Sequence, residues 1–333
     1  MNETDSEWGH GGTFMLPGHD SPVPGWLLQV PPDQSGIRVD AFVCTRVPRL
    51  SRSRASRLTF LEHPSGKRLK KSSLVYPGQH ILAIRPIPDS DAVIAFEPSV
   101  VWEDHDWCVL NKPPMMATHP SASYFKRTVT YWLRSHGYTQ IQTAHRLDVE
   151  TSGLLLCGKN PQVVRLASDA FAAQTVEKSY WAILDGVAPE DHWQVDTPLG
   201  FDTTSRIPIK MGIGTLTAST RFTVLAREAR YSLVEACPHG GRQHQIRVHA
   251  SLSGLPLVGD KLYGPDEEFF VHRHTKLDAK QLARLGHWRH ALHSARISAT
   301  FLPKVFEVGP PRDWFEIKGI APILTEVFGN SLP

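Results

Sequence analysis

The stretch that most constrains this chain runs from residue 145 to residue 157. It reads His-Arg-Leu-Asp-Val-Glu-Thr-Ser-Gly and then Leu-Leu-Leu-Cys. An apolar run bounded by turn residues reads as a buried strand. Such a strand needs a sizeable core around it, which a chain of 333 residues can supply. Asp148 then sits on a loop at the mouth of that strand, held by the core behind it. A loop on a rigid scaffold is a common place for reactive groups. Spacing alone leaves Asp148 two roles: a side chain that caps the turn, or a catalytic carboxylate.

Composition adds bounds. The chain is 41% hydrophobic and 21% charged, as in a soluble globular protein, and its length allows two domains. No apolar run approaches the ~18 residues of a membrane helix. Residues 1–23 are polar, lack the basic start and apolar core of a signal peptide, and read as a disordered tail. Cys44, Cys108, Cys157 and Cys237 are scattered. That argues against a disulfide framework or a zinc knuckle and fits a reducing cytoplasm. Net charge is only +3, yet residues 46–71 hold nine Lys/Arg against one acid, a local +8 that leaves about −5 elsewhere. Such a basic window suggests a polyanion partner.

Taken in order, residues 24–86 read as a small α/β domain. Val39, Phe42 and Val43 share one face of a first short helix. Ser51 or Ser53 can cap a second, with Leu58 and Leu61 inside. Arg52, Arg54 and Arg57 cannot all point inward, and Lys67, Arg68, Lys70 and Lys71 follow on a turn-like segment. Arginine forks match phosphate oxygens. Residues 87–98, rich in proline and acid, read as a linker, and 99–333 as a larger domain. There, Trp107–Leu110 reads as a strand. Thr128 and Asn160 each read as the cap of a helix, the second with Pro161 at its first position and Val163, Leu166, Ala167, Ala170 and Phe171 on one face. Strand-like stretches follow at 178–184, near 195, at 217–225, at 232–236 and at 295–301. Residues 240–249 alternate polar and β-branched residues, which suits a half-exposed strand, and 266–286 look like a charged surface insertion. Many strands with few helices point to an α+β fold on a largely antiparallel mixed sheet with flanking helices.

His287, His290 and His293 are spaced by three, and His239, His244 and His249 by five. No acid–histidine helix signature accompanies them, so no metal is expected. No nucleotide motif is present either, so no cofactor is expected.

The motifs resemble, in order and spacing, those of the RluA family of pseudouridine synthases. They are His145-Arg146-Leu147-Asp148 with Thr151-Ser152-Gly153, then Lys112-Pro113, Lys178-x-Tyr180-x-Ala182, and Gly241-Arg242-x-His244-Gln245-Ile246-Arg247-x-His249. Gly259-Asp260 and Tyr263-Gly264 extend the last. The resemblance spans roughly residues 100–305. Where the family has Lys-Pro-x-Gly, Met115 replaces the glycine, which predicts an altered loop course. Residues 24–86 resemble the S-four type RNA-binding domain, although His63-Pro64-Ser65-Gly66 stands in place of its usual turn.

The resemblance implies an enzyme that isomerises uridine in RNA, first ribosomal RNA and second tRNA, as a cytoplasmic monomer without metal, cofactor or membrane. Asp148 would be the essential carboxylate. It would act at carbon 1 of the ribose as nucleophile or charge stabiliser, or take a sugar proton. Arg247 would be its buried basic partner. Tyr180 would stack on the base and take the carbon 5 proton, or only stack, while Trp181 faces the core. Ile246 would pack on the uracil, and Arg146 would fill the space left by the flipped base. Lys112, Arg242 and His244 would position RNA or loops. The alternative is an RNA-binding ribosome-assembly factor with secondary or lost catalysis.

Overall fold

The computed structural model describes residues 12–14, 23–47, 50–85, 96–121, 124–138, 140–272 and 277–329. The chain divides into two compact units, Met1–Asp89 and Ser90–Pro333. The proposed linker lies outside the described residues up to residue 95.

In the first unit, Val23–Gln29, His80–Ile84, Thr59–His63 and Lys67–Leu69 form an antiparallel sheet. Two short helices, Val39–Arg46 and Arg52–Ala55, close its core. Val39, Phe42, Val43, Phe60 and Ile81 are buried there. Ser51 caps the second helix by accepting the Arg54 N–H. Two expectations are corrected. Most of the tail lies outside the described residues, but Gly12–Phe14 forms an edge strand paired with Val23–Gly25. Thr13 and Phe14 favour extended backbone, and pairing satisfies its polar groups. Lys67 and Arg68 lie on a strand rather than a turn, paired with Glu62 and Leu61. Arg52, Arg54, Arg57, Lys67, Arg68, Lys70 and Lys71 are all exposed.

The second unit is built on a ten-stranded sheet. Its main path runs His192–Val195, Ser219–Glu228, Tyr231–His239, Glu177–Asp185, Leu292–Ser298, Ser152–Gly158, Trp107–Lys112 and Ser99–Glu103. Neighbours on this path are antiparallel except Ser152–Gly158 beside Leu292–Ser298, where Ser152 faces His293 and Gly153 faces Ser294 in parallel register. Only glycine fits at 153. Its φ is +106°, and a Cβ there would lie 2.2 Å from the Ser294 carbonyl oxygen. Every residue of Ser152–Gly158 is buried, as its apolar run requires. Tyr180 and Trp181 face opposite sides of the sheet, into separate apolar clusters.

The helix after Thr128 spans Val129–Ser135, with the Thr128 hydroxyl accepting the Tyr131 N–H. Pro161–Ala172 begins at the Asn160 cap. Ala167 is buried on it, whereas Leu166 points outward at 48% exposure. Residues 245–252 correct the sequence reading: they form a helix, not a strand. The preceding strand ends at His239, Gly240 turns with φ +99°, and Gln245 ties the new start. Its side chain donates to Ser219 O, Thr220 Oγ1 and His239 O and accepts the Arg242 N–H. Gln245 through Ala250 are all buried, so polar and apolar residues alike have partners and the alternation carries no strand signal. Within 266–286, Glu268–Val271 and Ala279–Leu285 are helical and bury Phe269 and Leu285.

Candidate active site

Asp148 stands at the entry to the parallel junction, on a loop pinned from several directions. Before it, Leu147 is buried, and the Thr118 hydroxyl bonds both its carbonyl and its N–H at 3.0 Å. After it, Thr151 N–H closes onto Asp148 O at 3.2 Å. Thr151 Oγ1 lies 2.8 Å from His290 Nε2, and Ser152 Oγ 2.9 Å from His293 Nδ1. Glu150 accepts Lys261 Nζ at 2.7 Å and the His290 N–H at 3.1 Å, while Arg289 Nη1 donates to its carbonyl at 3.0 Å.

Lys112 belongs to the same fastening. It is 0% exposed, and Nζ donates to the carbonyls of Pro113, Met116 and, at 3.4 Å, Val149. Burial pushes its pKa down to about 7, with Arg289 adding to the effect and Asp148 opposing it. Of the two readings of Lys112, RNA contact and loop positioning, this enclosure favours the second. Its ammonium is enclosed, so it holds the loop. Met115, where the family has a glycine, has a φ of +61°, in the left-handed region that a glycine occupies without strain.

The Asp148 carboxylate is fixed by the Gln245–Leu252 helix. Arg247 Nη1 donates to Asp148 Oδ2 at 2.9 Å. The rest of the Arg247 fork grips Asp260, Nε to Oδ2 at 2.8 Å and Nη2 to Oδ1 at 2.9 Å. Asp260 is wholly buried and also accepts the N–H groups of Leu262 and Tyr263. Gly259 permits this placement, since a Cβ there would lie 1.9 Å from the Arg289 carbonyl oxygen. Burial alone would raise the Asp148 pKa. At the acid pH where it would titrate, the then-protonated His244, the Arg247 charge and the then-protonated His290, with the Arg247 hydrogen bond, overcome burial and hold the carboxyl well below the usual range. Arg247 itself is raised despite burial, because Asp260 and Asp148 both face it. At neutral pH the site therefore presents a carboxylate held by one guanidinium.

This carboxylate opens into a cleft of about 540 Å³. Arg146, Tyr180, Arg242, His244, Ile246 and Arg247 line it together with Asp148. Arg146 is exposed at the rim, and Ile246 is buried in the wall. Arg242 is exposed, and its Nε donates to Thr217 O at 3.1 Å. Lys178 also lines the cleft; its Nζ donates to Gly240 O at 2.6 Å, and burial pushes its pKa down to about 8. His145 supports the wall by packing its ring, tilted, against Phe171 and accepting the Leu156 N–H through Nε2.

Tyr180 is buried, and burial raises its phenol to about 12; Asp148 adds to this and a Ser294 hydrogen bond opposes it. A proton-accepting role needs surroundings that lower the phenol, and burial acts in the opposite direction here. The milder reading, a stacking ring, fits this environment.

His287, His290 and His293 turn to separate partners: Arg289 O and Asp313 O, Thr151, and Ser152. Among the described residues, no three His, Cys, Asp or Glu side chains gather as a metal set. No described helix is long and apolar enough to cross a membrane.

Sequence reasoning gave no role to Glu150, Asp260, Lys261, Tyr263, Arg289 or His290. The available signal was the pair Gly259-Asp260, close before Tyr263-Gly264.

Comparison with known proteins identifies the family. A family model described as RNA pseudouridylate synthase matches residues 106–252. The chain is 32% identical over 293 residues to ribosomal large subunit pseudouridine synthase D of Neisseria meningitidis serogroup A, covering 82% of this chain and 74% of that one. It is 30% identical over 213 residues to the dual-specificity RNA pseudouridine synthase RluA of Vibrio cholerae, covering 62% and 85%. Human RNA pseudouridylate synthase domain containing 1 has a similar solved structure, with a TM-score of 0.53 and 25% identity over 66% of this chain and 86% of that one. The chain belongs to the RluA family of RNA pseudouridine synthases, isomerases that convert uridine in RNA to pseudouridine.

Proposed function

We propose that Asp148 is the essential catalytic group and that ribosomal RNA is the substrate. The observation that carries the first claim is the Arg247–Asp148 contact at 2.9 Å in the wall of the cleft. A carboxylate kept ionised at neutral pH can attack ribose carbon 1, stabilise positive charge there, or take a sugar proton. The bond from uracil nitrogen 1 to the ribose then breaks, the base turns, and carbon 5 bonds to the same sugar carbon. Arg247 orients the acid. Tyr180 and Ile246 hold the base between them, and Arg146 at the rim fills the space that the flipped uridine leaves in its stack. Arg242 positions the RNA strand beside the cleft.

Ribosomal RNA is favoured because a relative covering most of this chain is named as a large-subunit ribosomal enzyme; tRNA is the second choice. The first unit serves as the S-four-like RNA-binding domain. Its seven exposed cations, Arg52, Arg54, Arg57, Lys67, Arg68, Lys70 and Lys71, suit backbone phosphates.

The test is tritium release from ribosomal RNA and tRNA transcripts labelled at uridine carbon 5. Wild type should release tritium from ribosomal RNA. Asp148→Asn should bind the same RNA and release less than about one-thousandth as fast, a loss of at least ~4 kcal/mol of transition-state stabilisation. An active Asp148→Asn enzyme would sink the assignment, and release from tRNA alone would move the substrate.

A further inference from the structure

Tyr263 determines how the neighbouring imidazole carries its proton. The Tyr263 hydroxyl oxygen accepts the Met211 N–H at 2.9 Å and lies 2.8 Å from His244 Nδ1. Burial raises the Tyr263 pKa, so the phenol keeps its proton. Among the described residues, those two groups are the hydroxyl's hydrogen-bond contacts. With Met211 N–H as a donor to it, the phenol O–H has His244 Nδ1 as its acceptor. A neutral imidazole that accepts at Nδ1 carries its proton on Nε2. That Nε2 points toward Asp148 Oδ2 at 3.9 Å, too far for a hydrogen bond, so its N–H is available to a group in the cleft.

The ring is neutral at neutral pH. Burial pushes its pKa down to about 4; Asp148 and Asp260 pull upward, and Arg247 and Arg146 push further down. A neutral ring is a poor phosphate contact but a good fixed donor. It also sits in a held position: the His244 backbone has φ +57° at the start of the Gln245–Leu252 helix.

We infer that His244 is a catalytic residue that donates its Nε2–H to a carbonyl oxygen of the target uracil as the glycosidic bond breaks. The inference rests on the reading of Asp148 above. As the bond from nitrogen 1 breaks, its electron pair leaves with the uracil and spreads onto the ring carbonyl oxygens. A preorganised N–H donor stabilises that charge without giving up its proton. The charge disperses again when carbon 5 bonds to ribose carbon 1. The carbon 5 proton is lost to solvent, and nitrogen 1 takes one up.

The experiment compares wild type, His244→Ala, His244→Gln, Tyr263→Phe and Asp148→Asn. It reads single-turnover tritium release at saturating enzyme, together with RNA affinity between pH 5.5 and 7.5. His244→Ala should slow the saturated rate about 100-fold, the cost of losing one such donor, and change affinity by less than about threefold. His244→Gln, which keeps an N–H at similar reach, should recover at least about tenfold of that loss. Tyr263→Phe, which frees the tautomer, should slow the rate about tenfold. Wild-type affinity should follow pH in the same way as that of His244→Ala.

The proposal is overturned if His244→Ala weakens binding while the saturated rate stays within about threefold, or if Gln and Ala lose equally. It also fails if acid strengthens binding by wild type but not by His244→Ala. Should His244→Ala melt below the assay temperature, the Gln and Phe variants decide. Activity in Asp148→Asn would instead remove the underlying reading, whatever the His244 variants do.

Discussion

Asp260 grips Arg247 with both carboxylate oxygens, at 2.8 and 2.9 Å, and so aims the remaining Arg247 nitrogen at Asp148. The fork geometry of arginine makes this division possible, because a lysine would offer a point charge with no fixed direction. Asp260 lies too deep to meet RNA. In the proposed reaction its part is the angle at which it holds the guanidinium.

Asp260→Asn should therefore act at a distance from the substrate. It removes a buried charge from a paired set, a class of change that costs about 3–5 kcal/mol. We expect a lower melting temperature, and a tritium-release rate reduced at least about tenfold in the fraction still folded. Unchanged melting with a wild-type rate would show that Arg247 needs no second anchor.

Tyr180→Phe keeps the ring and removes a hydroxyl whose pKa is raised to about 12. General bases contribute roughly 100- to 10,000-fold. The loss on removing this hydroxyl should stay below about tenfold, with no new alkaline limb in the rate profile. A larger loss would restore Tyr180 as the proton acceptor.

Met115 adopts a left-handed backbone at φ +61°. Met115→Gly should leave stability within about 1 kcal/mol, since relief of strain and loss of side-chain contacts oppose each other. Met115→Val should cost about 1–2 kcal/mol more, because a β-branched residue fits that region poorly. Urea unfolding of the two variants reads the difference, and equal midpoints would contradict the backbone assignment.

Acid should weaken the fold in two stages. His145, His290 and His293 are held neutral by burial, with pKa values lowered to about 3. Between about pH 6.5 and 3 the unfolded chain binds protons that these buried rings refuse, so their contribution is full above the unfolded value and is lost as pH falls. Asp148 and Asp260 are depressed, so their contribution is present above about pH 4 and is lost below it. Urea midpoints should begin to drop near pH 6.5, before any carboxylate titrates. A flat midpoint down to pH 4.5 would mean that the histidines are not held neutral.

Local signals were legible in the sequence. Leu154–Cys157 announced a buried strand because its neighbours along the chain bound it with turns, and Thr128 and Asn160 announced helices because a cap acts within three residues. The Gln245–Leu252 helix was missed because its burial is tertiary: Gln245 is satisfied by Ser219, Thr220 and His239, which spacing does not bring to mind. Lys112 was visible as a cation, but its carbonyl partners include Val149, 37 positions away. Asp148, Tyr180, His244, Ile246 and Arg247 do converge on one cleft. Asp260 was named without a role, because nothing local says that its carboxylate turns back to Arg247.

The parallel junction also sets when the Asp148 loop can be completed. The Asp148 loop is fastened to His290 and His293 across 139 and 141 positions of sequence. During synthesis Asp148 leaves the ribosome long before these clasps exist. Contacts between such distant segments form only after the intervening chain has been closed into place. A growing chain thus carries Asp148 unfastened, and the loop gains its full set of clasps in a late step, when the Leu292–Ser298 strand docks beside Ser152.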